Sequence, residues 1–330
     1  MSTQEHFGSK RQALREAELG LDSPAELEAV ARPRTRLALS WREYRPADKV
    51  LLGALAVMTL LTVVFHGKVE GWETLALSNA GIGSLFALFV GLRRFWSERR
   101  LGFVIRMTGF ILMLAYVDTA VEKLQLIIHG HWLDASVVGL ENAVFGGQPT
   151  LWLQRFMSPG LTEWLMFAYV AYLPLYPAMA ARLKNRGGEE AAEHLYFALG
   201  LTNVICDFAF ILFPVAGPLF FMGGQYTVPL KGYFWTRLGE GMRESLQFIG
   251  GTIPSPHCAS TTVMWLMARR YDRRAFWILA PLVLSLYVST FYCRYHYITD
   301  SIVGIGVGVA AFAAASALWR RWAGPANRPD

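Results

Sequence analysis

Residues 301–319, SIVGIGVGVAAFAAASALW, form nineteen consecutive positions without a charge, closed by Arg320 and Arg321. A helix needs about 20 mostly apolar residues to cross roughly 30 Å of hydrocarbon, so this stretch reads as a membrane span with a basic end. Seven further stretches of the same kind lie upstream, at about 50–65, 75–92, 101–116, 161–181, 195–213, 257–268 and 275–292. The run at 257–268 is the shortest, and its Ser260, Thr261 and Thr262 suit a helix that faces protein rather than lipid. The composition agrees. Of 330 residues 54% are hydrophobic and 17% charged, with a mean hydropathy of +0.31, against about 25% charged in soluble domains. An ordinary water-soluble enzyme is excluded.

The chain carries 31 Lys and Arg against 25 Asp and Glu, a net charge of +6. Such an excess can mark nucleic-acid binding, but placement decides. With eight spans, 23 of the 31 cations fall in 1–49, 93–100, 182–186, 269–274 and the C-terminus, all on one side. The positive-inside rule makes that side cytoplasmic and puts both termini there. The opposite loops hold Lys68, Lys123, Arg155, Lys231, Arg237, Arg243 and Arg294, while Arg106, inside the third span, is expected to snorkel to the cytoplasmic edge. The surplus then serves orientation and contact with anionic membrane lipids, and no nucleic-acid partner is expected. Residues 1–48 read as a cytoplasmic tail without a cleavable signal, with a short surface helix near 23–31 capped by Ser23. Residues 49–117 read as N-terminal transmembrane helices, and 118–330 as the membrane domain that holds the chemistry.

Two outer loops, 117–160 and 214–256, are long and rich in Gly, Pro and aromatic residues, a pattern often tied to function. Beside them lie PSPHCAST at 254–261 and STFYCRYHYITD at 289–300. If 295–301 is already helical, the four-residue spacing puts Asp300 and His296 on one face. The carboxylate then holds the Nδ1 proton and leaves Nε2 basic. Arg294 supplies a forked cation suited to a phosphoryl group. His257 follows a Pro-Ser-Pro turn at a helix start, where free N–H groups and the positive helix end favour an anion, and Ser255 adds a donor. Two outward histidines can divide a phosphoryl transfer, one attacking phosphorus and one protonating the departing oxygen. Fixed cations and amides suffice to stabilise the phosphoryl charge, so neither metal nor cofactor is expected. Cys206, Cys258 and Cys293 are too few and scattered for a zinc site or a disulfide framework.

These strings resemble the type 2 phosphatidic acid phosphatase (PAP2) superfamily, whose three motifs are a Lys…Arg-Pro segment, Pro-Ser-Gly-His, and Ser-Arg followed by His-x-x-x-Asp. The resemblance implies an all-α integral membrane bundle of about eight transmembrane helices with a PAP2-like core. It also implies that His296 is the phosphohistidine nucleophile, Asp300 its orienting partner and His257 the general acid. Pro254 and Ser255 stand at the family's Pro-Ser and Pro256 replaces its glycine; Ser289 keeps the third motif's serine, Thr290 stands at its arginine, and Arg294 looks like the substitute. For the first motif, Lys231 and Arg237 are the candidate phosphate-binding cations, with Leu238 where proline is usual. The swap at Thr290, FPVAGP at 213–218 and FGGQPTLWLQ at 145–154 resemble the branch of inositol phosphorylceramide synthases and related phosphotransferases.

The resemblance thus implies a lipid phosphate substrate and, as acceptor, either water (a phosphatase) or a lipid or inositol hydroxyl (a phosphotransferase). A different class remains, a transporter or scaffold that keeps the fold without the chemistry, in view of Thr290, Pro256 and the incomplete first motif. Asp207 falls inside the fifth span, where an ionisable group faces the interior with a partner. Asn203 is the candidate for pairing with it, and no second acidic group stands out.

Overall fold

The computed structural model describes residues 44–92, 99–246 and 248–322; the tail helix expected near 23–31 lies outside them. The helices are α1 (Pro46–Val64), α2 (Trp72–Gly91), α3 (Arg99–Glu122), α4 (Asp134–Phe145), α5 (Pro159–Val170), α6 (Tyr172–Leu212), α7 (Phe234–Leu246), α8 (Pro256–Tyr271), α9 (Arg273–Tyr292) and α10 (Ile298–Trp322), with short helical turns at Pro149–Trp152 and Pro218–Phe221. No strand occurs among the described residues. Among the described residues six segments are long and apolar enough to cross a membrane: Pro46–Val64, Trp72–Gly91, Leu101–Glu122, Tyr172–Leu212, Arg273–Tyr292 and Ile298–Arg321. Polarity is turned inside out. Leu60 and Val64 of α1 and Trp277, Ile278 and Leu284 of α9 are exposed, whereas Asn203, Asp207, Ser260 and Thr261 are buried. A hydrocarbon solvent selects for that arrangement.

The stretch expected as a fourth span, 161–181, is broken between α5 and α6 at Ala171. The 41 residues of α6 are themselves interrupted at Gly187 and Gly188, the latter at φ 71° and ψ −169°, a conformation open to glycine. The two halves fold back on each other: Tyr176 in the first hydrogen-bonds Asn203 in the second. On one continuous helix these residues would stand about 40 Å apart.

α8 lies at the centre, packed against α6, α9 and α10. Ser255 caps it, accepting the Cys258 N–H at 3.4 Å, and Pro256 takes the first helical position, where a missing N–H costs nothing. On its polar face Thr262 donates to the Cys258 carbonyl at 2.7 Å and bonds the Tyr287 hydroxyl at 2.6 Å. α10 reaches this helix at backbone distance through Gly304 and Gly308. A Cβ on either would stand 2.5 Å from a carbonyl oxygen, that of Ser255 or of Ala259 respectively, so only small residues allow the approach. The same contact aligns the two helix starts, with the Ser255 N–H donating to the Asp300 carbonyl at 3.0 Å.

Arg106 does not snorkel. Its guanidinium turns inward, 2.7 Å from Asp48 and 3.1 Å from Glu193, which Arg45 also pairs with. Both carboxylates are buried, and a buried charge left unpaired is strongly destabilising. At the same end of the bundle Asp272 caps α9, accepting the Ala275 N–H at 3.2 Å and pairing with Arg182 at 2.5 Å and Arg186 at 3.2 Å. Burial would raise its carboxyl, but the Ala275 N–H and the two arginines hold it below the usual range.

Candidate active site

His296 lies in the connection between α9 and α10, outside any helix, because α10 begins only at Ile298. The expected helical alignment with Asp300 is therefore replaced by another. The connection is pinned by the Thr290 carbonyl, which accepts the N–H groups of Tyr295 at 3.1 Å and His296 at 3.0 Å, while Arg294 turns the chain at φ 68°. Asp300, in the first turn of α10, reaches back to the Tyr297 N–H at 2.9 Å, and its Oδ2 lies 3.6 Å from His296 Nδ1. The closer partner of Nδ1 is the Thr252 carbonyl, at 3.0 Å. A carbonyl only accepts, so Nδ1 carries the proton and Nε2 presents a lone pair. No sequence signal marked Thr252, since the contact depends on how the loop before α8 folds back over His296.

His257, at the start of α8, stands with its ring centroid 5.6 Å from that of His296, edge to face. Tyr169 stacks on it at 4.5 Å and Tyr172 lies against it, tilted, at the same distance, and its Nδ1 is buried without a hydrogen-bond partner. Both imidazoles line one cavity of about 270 Å³, together with Tyr169, Tyr172, Gly217 and Arg243. Gly217, at φ 100°, belongs there because a Cβ would meet Thr252 Cγ2 at 2.8 Å. Its N–H and that of Ala216 donate to Asp134 at 2.9 and 2.8 Å, and the Tyr297 hydroxyl donates to the same carboxylate at 3.0 Å. Burial and that carboxylate push the Tyr297 phenol well above its usual range, so it remains a donor. Asp134 thus ties the FPVAGP segment to the residue beside His296, a role its place in an outer loop did not announce.

The cations are distributed differently from their motif positions. Arg294 is buried beside the cavity rather than on its wall: its guanidinium donates to the Val228 carbonyl, contacts Met157 Sδ at 3.0 Å and lies 4.3 Å over the Tyr226 ring. Arg237 is exposed at a shallow depression with Leu238 and Ser245, and Lys231 is exposed in the segment before α7. Ser255 is fully buried as the α8 cap. The guanidinium on the cavity wall belongs to Arg243, held by Glu240 at 3.0 Å, whose other oxygen accepts the Tyr295 hydroxyl at 2.6 Å. α7 brings Arg243 there because Glu163 of α5 fastens its start, accepting the N–H groups of Tyr233, Trp235 and Thr236 at 2.7, 2.7 and 3.1 Å. Asp207 meets a second acid after all: its carboxyl hydrogen-bonds Asp118 of α3, and Asn203 instead donates to Ser260 at 3.0 Å. All three cysteines are free and buried. Among the described residues no group of three or more His, Cys, Asp or Glu side chains is placed to hold a metal ion.

The arrangement offers a His296 whose Nδ1 is engaged by a carbonyl, a second imidazole across a small gap and a fixed guanidinium, which is the equipment for acting on a phosphorus centre. No curated protein and no solved structure matches the chain. The sequence does match a family profile, described as PAP2 superfamily, over residues 136–314, a span that contains both histidines, Arg243 and Asp300. Because the match covers more than half of the chain, this protein belongs to the PAP2 superfamily.

Proposed function

We propose that the protein is a membrane lipid-phosphate phosphatase or phosphotransferase that works through a phosphohistidine on His296. PAP2 membership supports phosphatase or phosphotransferase chemistry in general; the specific reading is carried by two imidazoles 5.6 Å apart on one cavity, with His296 Nδ1 engaged by the Thr252 carbonyl. His296 Nε2 attacks phosphorus, the bond from phosphorus to the leaving oxygen breaks, and His257 gives that oxygen its proton. His257 then takes a proton from the acceptor, whose oxygen attacks phosphorus and releases His296. Arg243 pairs with the phosphoryl oxygens, and no step requires a metal. With water as acceptor the reaction is hydrolysis; with an inositol-type or lipid hydroxyl it is head-group transfer. The second reading is favoured by the branch resemblance of FPVAGP, since Gly217 lies on the cavity wall.

The two halves of α6, the pair α5 and α6, and the buried α8 bring the crossings to eight. With an even number, the basic loops support a reading in which both termini are cytoplasmic and the histidines face the extracytoplasmic side. Purified protein offered phosphatidic acid, a prenyl diphosphate and phosphatidylinositol, with His296→Ala in parallel, tests the proposal. Phosphate release or head-group transfer by the parent, lost in the variant, supports it. Equal turnover by both overturns it, and inactivity of both on every substrate favours a transporter or scaffold.

A further inference from the structure

The cavity that holds the two imidazoles also holds a carboxylate. Asp118 of α3 lines it, along with Arg243. The Asp118 carboxyl hydrogen-bonds Asp207, which is 1% exposed and whose Oδ2 has no hydrogen-bond partner. A hydrogen bond between two carboxyls shares one proton, which leaves the second group free to face the cavity as a carboxylate. Arg243 does not neutralise it, being held by Glu240 at 3.0 Å and Glu244 at 3.4 Å. A purely anionic phosphate at His296 would leave that charge uncompensated in a space where water screens poorly. Aromatic rings fill the remaining wall: Tyr169, Tyr172, Phe220, Phe248 and Tyr295. Ring faces attract cations, and most strongly where water is excluded. Tyr172 shares this wall with Asp118, and its ring lies 4.5 Å from that of His257.

We propose that Asp118, backed by Asp207, is a specificity-determining residue that selects lipid phosphates carrying a cationic nitrogen close to the phosphate. The zwitterion spans the cavity, its phosphate at His296 and Arg243 and its ammonium at Asp118 among the aromatic rings. This rests on the lipid-phosphate reading and names the class of substrate within it. Asp207 acts through Asp118, keeping a single charge on the pair at the cavity wall.

The test compares the phosphate monoester of a long-chain 2-amino alcohol with its N-acetyl derivative, which has the same chain and phosphate but no positive charge, using full-length protein in detergent. The native protein is expected to favour the amine at least about tenfold in kcat/KM, the size of one charge-assisted hydrogen bond. Asp118→Asn is expected to reduce that preference to about twofold or less, chiefly through a higher KM for the amine relative to the N-acetyl ester. Asp207→Asn keeps the Asp118 charge and keeps the preference. Equal efficiency of the native protein on both esters overturns the proposal without any variant, and so does a preference that survives Asp118→Asn. Displacement of a fluorescent lipid phosphate from His296→Ala protein by the same two esters reads the preference without turnover. Loss of catalysis alone therefore counts against the proposed reaction, while equal binding counts against the Asp118 subsite.

Discussion

Nδ1 of His296 faces two acceptors of different kinds, the Thr252 carbonyl at 3.0 Å and the Asp300 carboxylate at 3.6 Å. Where a carboxylate is the sole partner of a catalytic imidazole, its amide replacement costs about 10⁴-fold because the wrong tautomer forms. Here the carbonyl holds the tautomer by itself, so Asp300→Asn is expected to lower kcat by only about 10–100-fold, and a loss near 10⁴-fold would show that Asp300 alone sets the proton. Arg243 is the guanidinium that lines the cavity, and Arg243→Ala is expected to cost about 10²–10³-fold in kcat/KM, the range for removing one donor that stabilises transition-state charge. Arg294→Ala, read in the same assay, should instead act through the melting temperature, because that side chain secures Val228, Met157 and Tyr226. At this scale the sequence was readable where spacing is local, as with His296 and Asp300. It was unreadable where a loop returns from far along the chain, as with Thr252, 44 residues upstream of His296, or Arg243, which reaches the cavity only because Glu163 fastens α7.

Among the helices, α8 and α10 carry the architecture that matters most, since α8 brings His257, α10 starts two residues after His296, and their separation is set by Gly304 and Gly308. Gly304→Val places its Cβ 2.5 Å from the Ser255 carbonyl oxygen, and overpacking of this kind costs about 1–3 kcal/mol. The variant should melt earlier in detergent and lose turnover through kcat; a variant that melts earlier while keeping its kcat would separate helix packing from imidazole placement. Asp272 gives a pH-dependent test at the opposite end. Its folded-state carboxyl is held below the ordinary value of about 3.9, so its contribution is complete above that value and disappears as the pH falls through the lower one. Asp272→Asn should therefore lower the melting temperature at pH 7 by a modest amount, since Arg182 and Arg186 are half exposed, and the gap from the native protein should close in acid. A gap that widens in acid would reverse the sign assigned to this carboxyl. The apolar runs foretold α1, α2, α3, α9 and α10, and the interruption of α6 at Gly187 and Gly188 falls between the runs at 161–181 and 195–213; the break at Ala171 went unmarked because it lies inside a continuous apolar run.

For the molecule as a whole, composition alone excluded a water-soluble globule, and the buried polar interior with its apolar exterior accounts for that composition. The sidedness proposed from the basic loops is open to direct measurement. Gln225→Cys, exposed in the loop before α7, should react with a membrane-impermeant maleimide on intact cells, whereas Arg274→Cys, exposed at the start of α9, should react only after the membrane is opened. The native cysteines are buried and leave the background low. The reverse pattern would invert the protein and put the histidines in the cytoplasm. Central to everything above is the division of labour between two imidazoles on one cavity. The most direct test incubates the protein with a lipid phosphate labelled on phosphorus, quenches in alkali and maps the label by mass spectrometry. An acid-labile phosphoryl group on His296, absent in His296→Ala and accumulating in His257→Ala supplied with a substrate whose leaving group needs no protonation, is the predicted result. Label on any other residue, or full turnover with no label at His296, would contradict it.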